Sequence, residues 1–194
     1  AKGISKGTKD KVKTQGKVET MDIKKIYLVY FSPGGNTEKV VKLIGTKLAG
    51  ELGAEAYAID FTSPEMRNAQ YSFDEDALVV FGMPTYAGRV PNKLLAFLQD
   101  GFKGNATKAV AVTTFGNRSF DGSLTELSLE LYKNGFDIFA AASFACQHHF
   151  SKAIGTARPD DDDVAEIEKF ALSIAQWLSK SEANSIEQRN ILAE

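Results

Sequence analysis

The feature that most constrains this chain is a repeated switch in the spacing of its apolar residues, from compact runs to helical intervals and back. Ile26 to Phe31 is a run of β-branched and aromatic residues, as in a strand covered on both faces. Val40, Val41, Ile44 and Leu48 then recur at helical spacing, and Gly53 supplies a stop. Ala54 to Asp60 reads as a second strand, and Ser63-Pro64-Glu65 as the start of a short helix with Ser63 as N-cap and Pro64 first in the helix. Ala77 to Gly82 is a third strand, followed by a helix over Pro91 to Leu98 with Leu94, Leu95 and Leu98 inward. A fourth strand spans Ala109 to Phe115, and Leu124, Leu127 and Leu131 mark the next helix. Asp137 to Cys146 is the fifth strand, and Val164, Ile167, Phe170, Ile174 and Trp177 stripe a closing amphipathic helix. Strands separated by helical segments predict an α/β fold, a doubly wound five-stranded parallel sheet with helices on both faces.

Composition narrows the chemistry. The 194 residues hold 23 Lys and Arg against 25 Asp and Glu, without the concentrated basic face of a nucleic-acid binder. A single cysteine, Cys146, can form neither an internal disulfide nor a cysteine-based zinc or iron-sulfur site. The longest apolar runs, such as Ile138 to Cys146, fall far short of the roughly 20 residues of a membrane span, so no membrane partner is expected. Residues 1–20 carry six Lys against Asp10 and Glu19, which leaves the rest of the chain at −6. That stretch has no apolar core of a secretory signal and reads as a basic leader or an extension added in cloning, with a cytoplasmic location as the default. Residues 21–180 form the expected domain and 181–194 a polar tail. The acidic run Asp160 to Asp163 reads as carboxylates facing the positive end of a helix dipole.

In such sheets ligands bind beyond the carboxyl ends of the strands, where the strand order reverses. Three turns there have unusual sequence. Ser32-Pro33-Gly34-Gly35-Asn36-Thr37 sets hydroxyls, an amide and two glycines at a helix N-terminus, where backbone N–H groups and the dipole favour a phosphate. It lacks the Lys of a Walker loop and the spacing of a dinucleotide fingerprint, and an ordinary glycine turn capped by Asn36 or Thr37 is the competing explanation. The turn from Gly82 to Pro91 has two prolines, two glycines and Tyr86, which can stack on a flat ligand or simply cover the sheet end. The turn from Thr114 to Asp121 offers backbone and amide donors and two aromatics, or a helix entry capped by Ser119 or Asp121.

Together these residues resemble the flavodoxin family. The Ser32 to Thr37 loop is similar to its phosphate loop, and the loops Pro84 to Pro91 and Thr114 to Asp121 to the two that hold the flavin ring. Tyr30-Phe31-Ser32, Gly88-Arg89-Val90-Pro91, Phe115-Gly116-Asn117-Arg118, His149-Phe150-Ser151 and Ala157-Arg158-Pro159-Asp160 resemble the flavodoxin half of flavodoxin-ferredoxin fusion proteins, over about residues 24–178. The sequence departs from the family at Gly34, where many relatives carry threonine, and the cysteine clusters of a ferredoxin half cannot be made from Cys146 alone.

The resemblance implies strand order 2-1-3-4-5 and noncovalent FMN. Ser32, Gly34, Gly35, Asn36 and Thr37 would hold its phosphate, Pro84, Thr85, Tyr86, Ala87 and Gly88 would meet the ring, and Thr114, Phe115, Gly116, Asn117 and Arg118 would close its other side. The implied role is an electron carrier between redox partner proteins, a reductase or ferredoxin-like donor and an acceptor. The alternatives are an NAD(P)H-dependent FMN-containing reductase of quinones or other small acceptors, and a flavin-free docking module. His148 and His149 follow the fifth strand at the ligand edge, but neighbours in extended chain point to opposite sides and are poorly placed to share a metal. A loop-surface role is the plainer expectation for them, with one approaching the flavin as the alternative, and Cys146 is expected to be a buried apolar residue ending a strand.

Overall fold

The computed structural model describes residues 23–181, so the expectations for residues 1–20 and, Ser181 apart, for the polar tail lie outside it. Five strands form a parallel sheet: β1 (Lys25–Tyr30), β2 (Glu55–Asp60), β4 (Ala77–Pro84), β6 (Thr107–Phe115) and β7 (Phe136–Ala145). Their order is β2-β1-β4-β6-β7, which is the expected order once the strands of this sheet are numbered alone. The order reverses at β1, which pairs on one side with β2 and on the other with β4, in register Val29 with Ile59 and with Phe81.

Alternation along these strands splits the core in two. Ile26, Leu28 and Tyr30 of β1, Leu78 and Val80 of β4, and Val110 and Val112 of β6 face α1 (Asn36–Leu52) and α4 (Asp161–Ser181), which bring Val40, Val41, Ile44, Leu48, Ile167 and Ile174. The intervening residues Val29, Val79, Phe81, Met83, Ala109 and Ala111 face α2 (Leu95–Asp100) and α3 (Ser123–Lys133), together with Leu94, Leu98, Leu127, Leu131 and a cluster of Phe61, Phe73, Phe102 and Phe136. Burial of each of these large side chains stabilises the fold by about 1.5–3 kcal/mol relative to exposure.

Three features differ from the sequence reading. The expected helix over Pro91 to Leu98 is a 3-10 turn, Asn92–Leu94, followed by the short α2. Ser63-Pro64-Glu65 does begin a short helix, but one of 3-10 type over Glu65–Asn68 with Pro64 at the cap position. A second sheet, β3 (Tyr71–Phe73) paired in parallel with β5 (Phe102–Gly104), has no counterpart in the expected elements. Its strands are three residues long, too short for a period, and their pairing rests on the packing of Tyr71 against Phe102, ring centroids 5.3 Å apart.

The sheet's direction sets where the ligand edge lies. α1 returns antiparallel to β1, and α4 starts beside the loop that leaves β7 and runs back for 21 residues, about 30 Å of helix, so β1 begins and α4 ends at the edge opposite the turns. At Gly82 a Cβ would fall 2.2 Å from Val41 Cγ2 and 2.9 Å from Thr37 Cγ2, so the missing side chain is what lets the first turns of α1 lie directly on β4. Among the described residues no helix is long and apolar enough to cross a membrane.

Candidate functional site

The turns after β1, β4, β6 and β7 converge on one cleft of about 210 Å³ at the carboxyl edge of the sheet. Of the residues singled out from sequence, Ser32, Gly34, Asn36, Thr37, Pro84, Thr85, Tyr86, Ala87, Thr114, Phe115 and Gly116 line it. The lining contains no Lys, Arg, Asp or Glu, so its polar groups are hydroxyls, amides, backbone and two imidazoles.

The floor is the turn into α1. Gly35 takes a left-handed conformation, φ 80°, that a side chain would strain, and from there its carbonyl accepts the first helical bond, from Lys39 N–H at 3.0 Å. Ser32 Oγ accepts the Glu38 N–H at 2.9 Å, so the capping hydroxyl is Ser32, and neither Asn36 nor Thr37 fills that role. The N–H groups of Asn36 and Thr37 precede any intrahelical acceptor and stand at the positive end of the helix. Their side chains are bracing elements: Asn36 Nδ2 donates to Gln147 O at 2.9 Å, and Thr37 Oγ1 lies 2.8 Å from Thr114 Oγ1.

The walls come from the other turns. Thr85 N–H donates to Thr114 O at 2.7 Å, and Thr85 Oγ1 pairs with Ser123 Oγ at 2.7 Å, which fixes the β4 turn against the start of α3. Tyr86 is 42% exposed at the mouth, and partial burial raises the pKa of its phenol, which keeps the ring uncharged. Cys146 is a buried part of the cleft wall, and burial pushes its thiol up to about 12, which keeps it protonated.

Four expected residues, Gly35, Gly88, Asn117 and Arg118, lie outside the lining. Gly35 is the helix cap just described. Gly88, φ 78°, accepts the Gly122 N–H through its carbonyl and lies against Asp121, where a Cβ would come within 2.6 Å of a carboxylate oxygen. Asn117 accepts a hydrogen bond from Arg158 Nη1 at 2.7 Å, and Arg118 is exposed beside Asp121. Arg158 also grips Asp163 with two further bonds, Nε at 2.8 Å and Nη2 at 2.5 Å, holding the Asp163 carboxyl below the usual aspartate range. Asp160 and Asp163 exchange backbone-to-carboxylate bonds at 3.0 and 3.1 Å, so part of the acidic run is a specific helix cap as well as a dipole partner.

The fourth wall follows β7, where a loop-surface role is the plainer expectation for His148 and His149 and an approach to the ligand the alternative. Gln147, His148, His149 and Phe150, with Pro33 and Cys146, complete the cleft. The two histidines take opposite sides: His148 packs over Gly116 and His149 over Gly34. Their position after the fifth strand was the available signal.

The floor of the site offers neutral donors at a helix N-terminus to an anion. The donors at the floor are neutral, the glycines leave backbone exposed, and no carboxylate opposes an anion. Among solved structures, the chain is similar to a flavodoxin from the domain Archaea, at 16% identity over 80% of this chain and 99% of that one, TM-score 0.52. It is similar as well to oxidised flavodoxin 2 from Bacillus cereus, at 18% identity over 79% and 98%, TM-score 0.56. An NADH:FMN oxidoreductase in its apo form aligns at 18% identity over 79% and 89%, TM-score 0.56. No protein-family model and no curated protein matches the sequence. The architecture is the flavodoxin-like fold.

Proposed function

We propose that the protein binds FMN noncovalently in this cleft and carries electrons between redox partner proteins in the cytoplasm. One observation carries the reading: a helix N-terminus suited to a phosphate and an exposed aromatic, Tyr86, share one cleft without Lys, Arg, Asp or Glu at the switch point of the sheet. The Ser32 to Thr37 turn holds the phosphate with the N–H groups of Asn36 and Thr37 and the hydroxyl proton of Ser32, whose oxygen is already an acceptor. Tyr86 and its neighbours Pro84 to Gly88 meet one side of the ring, and Thr114 to Gly116 the other, with Asn117 held by Arg158 beside them and Arg118 at the exposed rim. Bound FMN supplies the redox chemistry, while the protein supplies orientation and a partly open edge. A cleft of about 210 Å³ is smaller than the roughly 300–1,000 Å³ that encloses a drug-sized ligand, so it leaves part of a flavin at the surface, where a partner can reach it. The chain outside residues 1–20, at −6, favours a basic docking face and transfer rates that fall as salt rises.

A second reading, an NAD(P)H-dependent FMN reductase of small acceptors, draws support from the fold's likeness to an NADH:FMN oxidoreductase. The experiment is a visible spectrum and FMN titration of the purified protein, followed by anaerobic mixing of the loaded protein with NADH and NADPH. A yellow protein that reacts slowly with both but rapidly with a reductase supports the carrier. Fast bleaching by a nicotinamide favours the reductase, and failure to bind FMN leaves the docking module.

A further inference from the structure

Resting on the FMN reading, we propose that His149, a side chain from outside the phosphate turn, joins Ser32 in contacting the phosphate, filling the space that Gly34 leaves open. A Cβ on Gly34 would lie 2.6 Å from His149 Nδ1 and 3.3 Å from Cε1, closer than real contacts allow at Nδ1, so the imidazole edge stands where any side chain at position 34 would go. The turn is therefore completed by a residue 115 positions away in the chain, and its glycine is the complement of that imidazole.

Three further observations point the same way. The lining has no Lys or Arg, so the two imidazoles are its basic side chains able to donate an N–H bond to a phosphate. Lys39, one turn into α1, is committed elsewhere, its Nζ donating to Pro159 O at 2.9 Å. Of the two histidines, His148 accepts the Phe150 N–H on Nδ1 at 3.2 Å and lies across the cleft over Gly116. His149 makes no hydrogen bond or ion pair among the described residues, and its ring is steadied by an edge contact with Phe150, centroids 4.9 Å apart. An imidazole with both nitrogens uncommitted, set against a phosphate-suited turn, is a donor waiting for an acceptor. The role is binding and phosphate selectivity, and no step of electron transfer passes through it.

The test compares FMN with riboflavin, which differ by the phosphate alone, in titrations of wild type, His149→Ala, His149→Gln, Gly34→Ala and the double variant Gly34→Ala/His149→Ala. His149→Ala should raise the FMN dissociation constant about tenfold, as for a charge-assisted hydrogen bond, and leave riboflavin within about twofold. His149→Gln, which keeps an N–H donor on a differently shaped side chain, should fall between. Gly34→Ala should displace the imidazole and weaken FMN alone, with no further loss when His149 is already alanine. FMN bound equally by wild type and His149→Ala overturns the role of His149 while leaving the FMN reading intact, and so does an equal loss of both flavins. Wild-type protein that binds no FMN overturns the reading itself and this inference with it.

Discussion

Thr37 Oγ1 and Thr114 Oγ1 lie 2.8 Å apart with both residues buried, 2% and 4% exposed, tying the first turn of α1 to the end of β6 across the floor of the cleft. Two chain segments 77 residues apart thus share one hydrogen bond at the point where a phosphate would arrive. Thr37→Val removes one partner and strands the other hydroxyl, which costs about 1–3 kcal/mol. Thr37→Val/Thr114→Val removes both and should recover part of that loss. Urea unfolding of the two single variants and the double measures the coupling, and additive losses would show that the pair is not a unit. Thr37→Val should also weaken FMN more than riboflavin.

Tyr86 bears on the ring side of the site. Aromatic stacking contributes about 1 kcal/mol beyond burial, so Tyr86→Ala should loosen FMN several-fold and Tyr86→Phe should be nearly silent. Flavin fluorescence in the wild type should be quenched and partly recover in the alanine variant. Unchanged affinity and fluorescence would reduce Tyr86 to a cover over the sheet end.

The Arg158–Asp163 pair holds the start of α4 and, through Asn117, the loop that carries the histidines. Because Asp163 titrates below the usual aspartate range when folded, its contribution is fully present above about pH 4 and is lost as pH falls through the lowered value. Asp163→Asn should cost about 1 kcal/mol near neutrality, the worth of a helix cap, and flatten the acid limb of stability against pH. An acid limb identical to wild type would remove the assignment.

Cys146 should resist thiol reagents. With its pKa pushed up to about 12 by burial, almost none of it is thiolate at pH 8, and access requires local opening. Labelling should be slow in buffer and fast in denaturant, as followed by mass spectrometry. Rapid labelling of the folded protein would mean that the cleft opens behind Phe115 and Gln147.

What could be read from sequence follows from how locally each element is determined. The strands of the main sheet alternate between two cores, and the helices repeat their stripes over several turns, so Ile26, Leu28 and Tyr30 announce one face and Val29 the other. The turns at the ligand edge were legible because glycine, proline and hydroxyl residues cluster there for conformational reasons that are themselves local. The histidines could be placed at the ligand edge by their position after the fifth strand, but not their contacts, because residues 146–160 follow no period and are placed by distant partners: Arg158 on Asn117, Gln147 O on Asn36, His149 on Gly34. The side-chain duties of Asn36 and Thr37 were hidden for the same reason, since Gln147 and Thr114 are remote in sequence.

Because β1 enters and α4 leaves at the edge of the sheet remote from the cleft, Lys25 and Lys180 lie on the far side of the sheet from the site. A protein tethered to an electrode through a cysteine introduced at Lys25 or Lys180 would present its cleft outward to solution. Direct voltammetry on such a surface would then be limited by the thickness of the sheet between tether and ligand, whereas attachment through an introduced cysteine at Tyr86 or Phe150 would place the ligand against the metal.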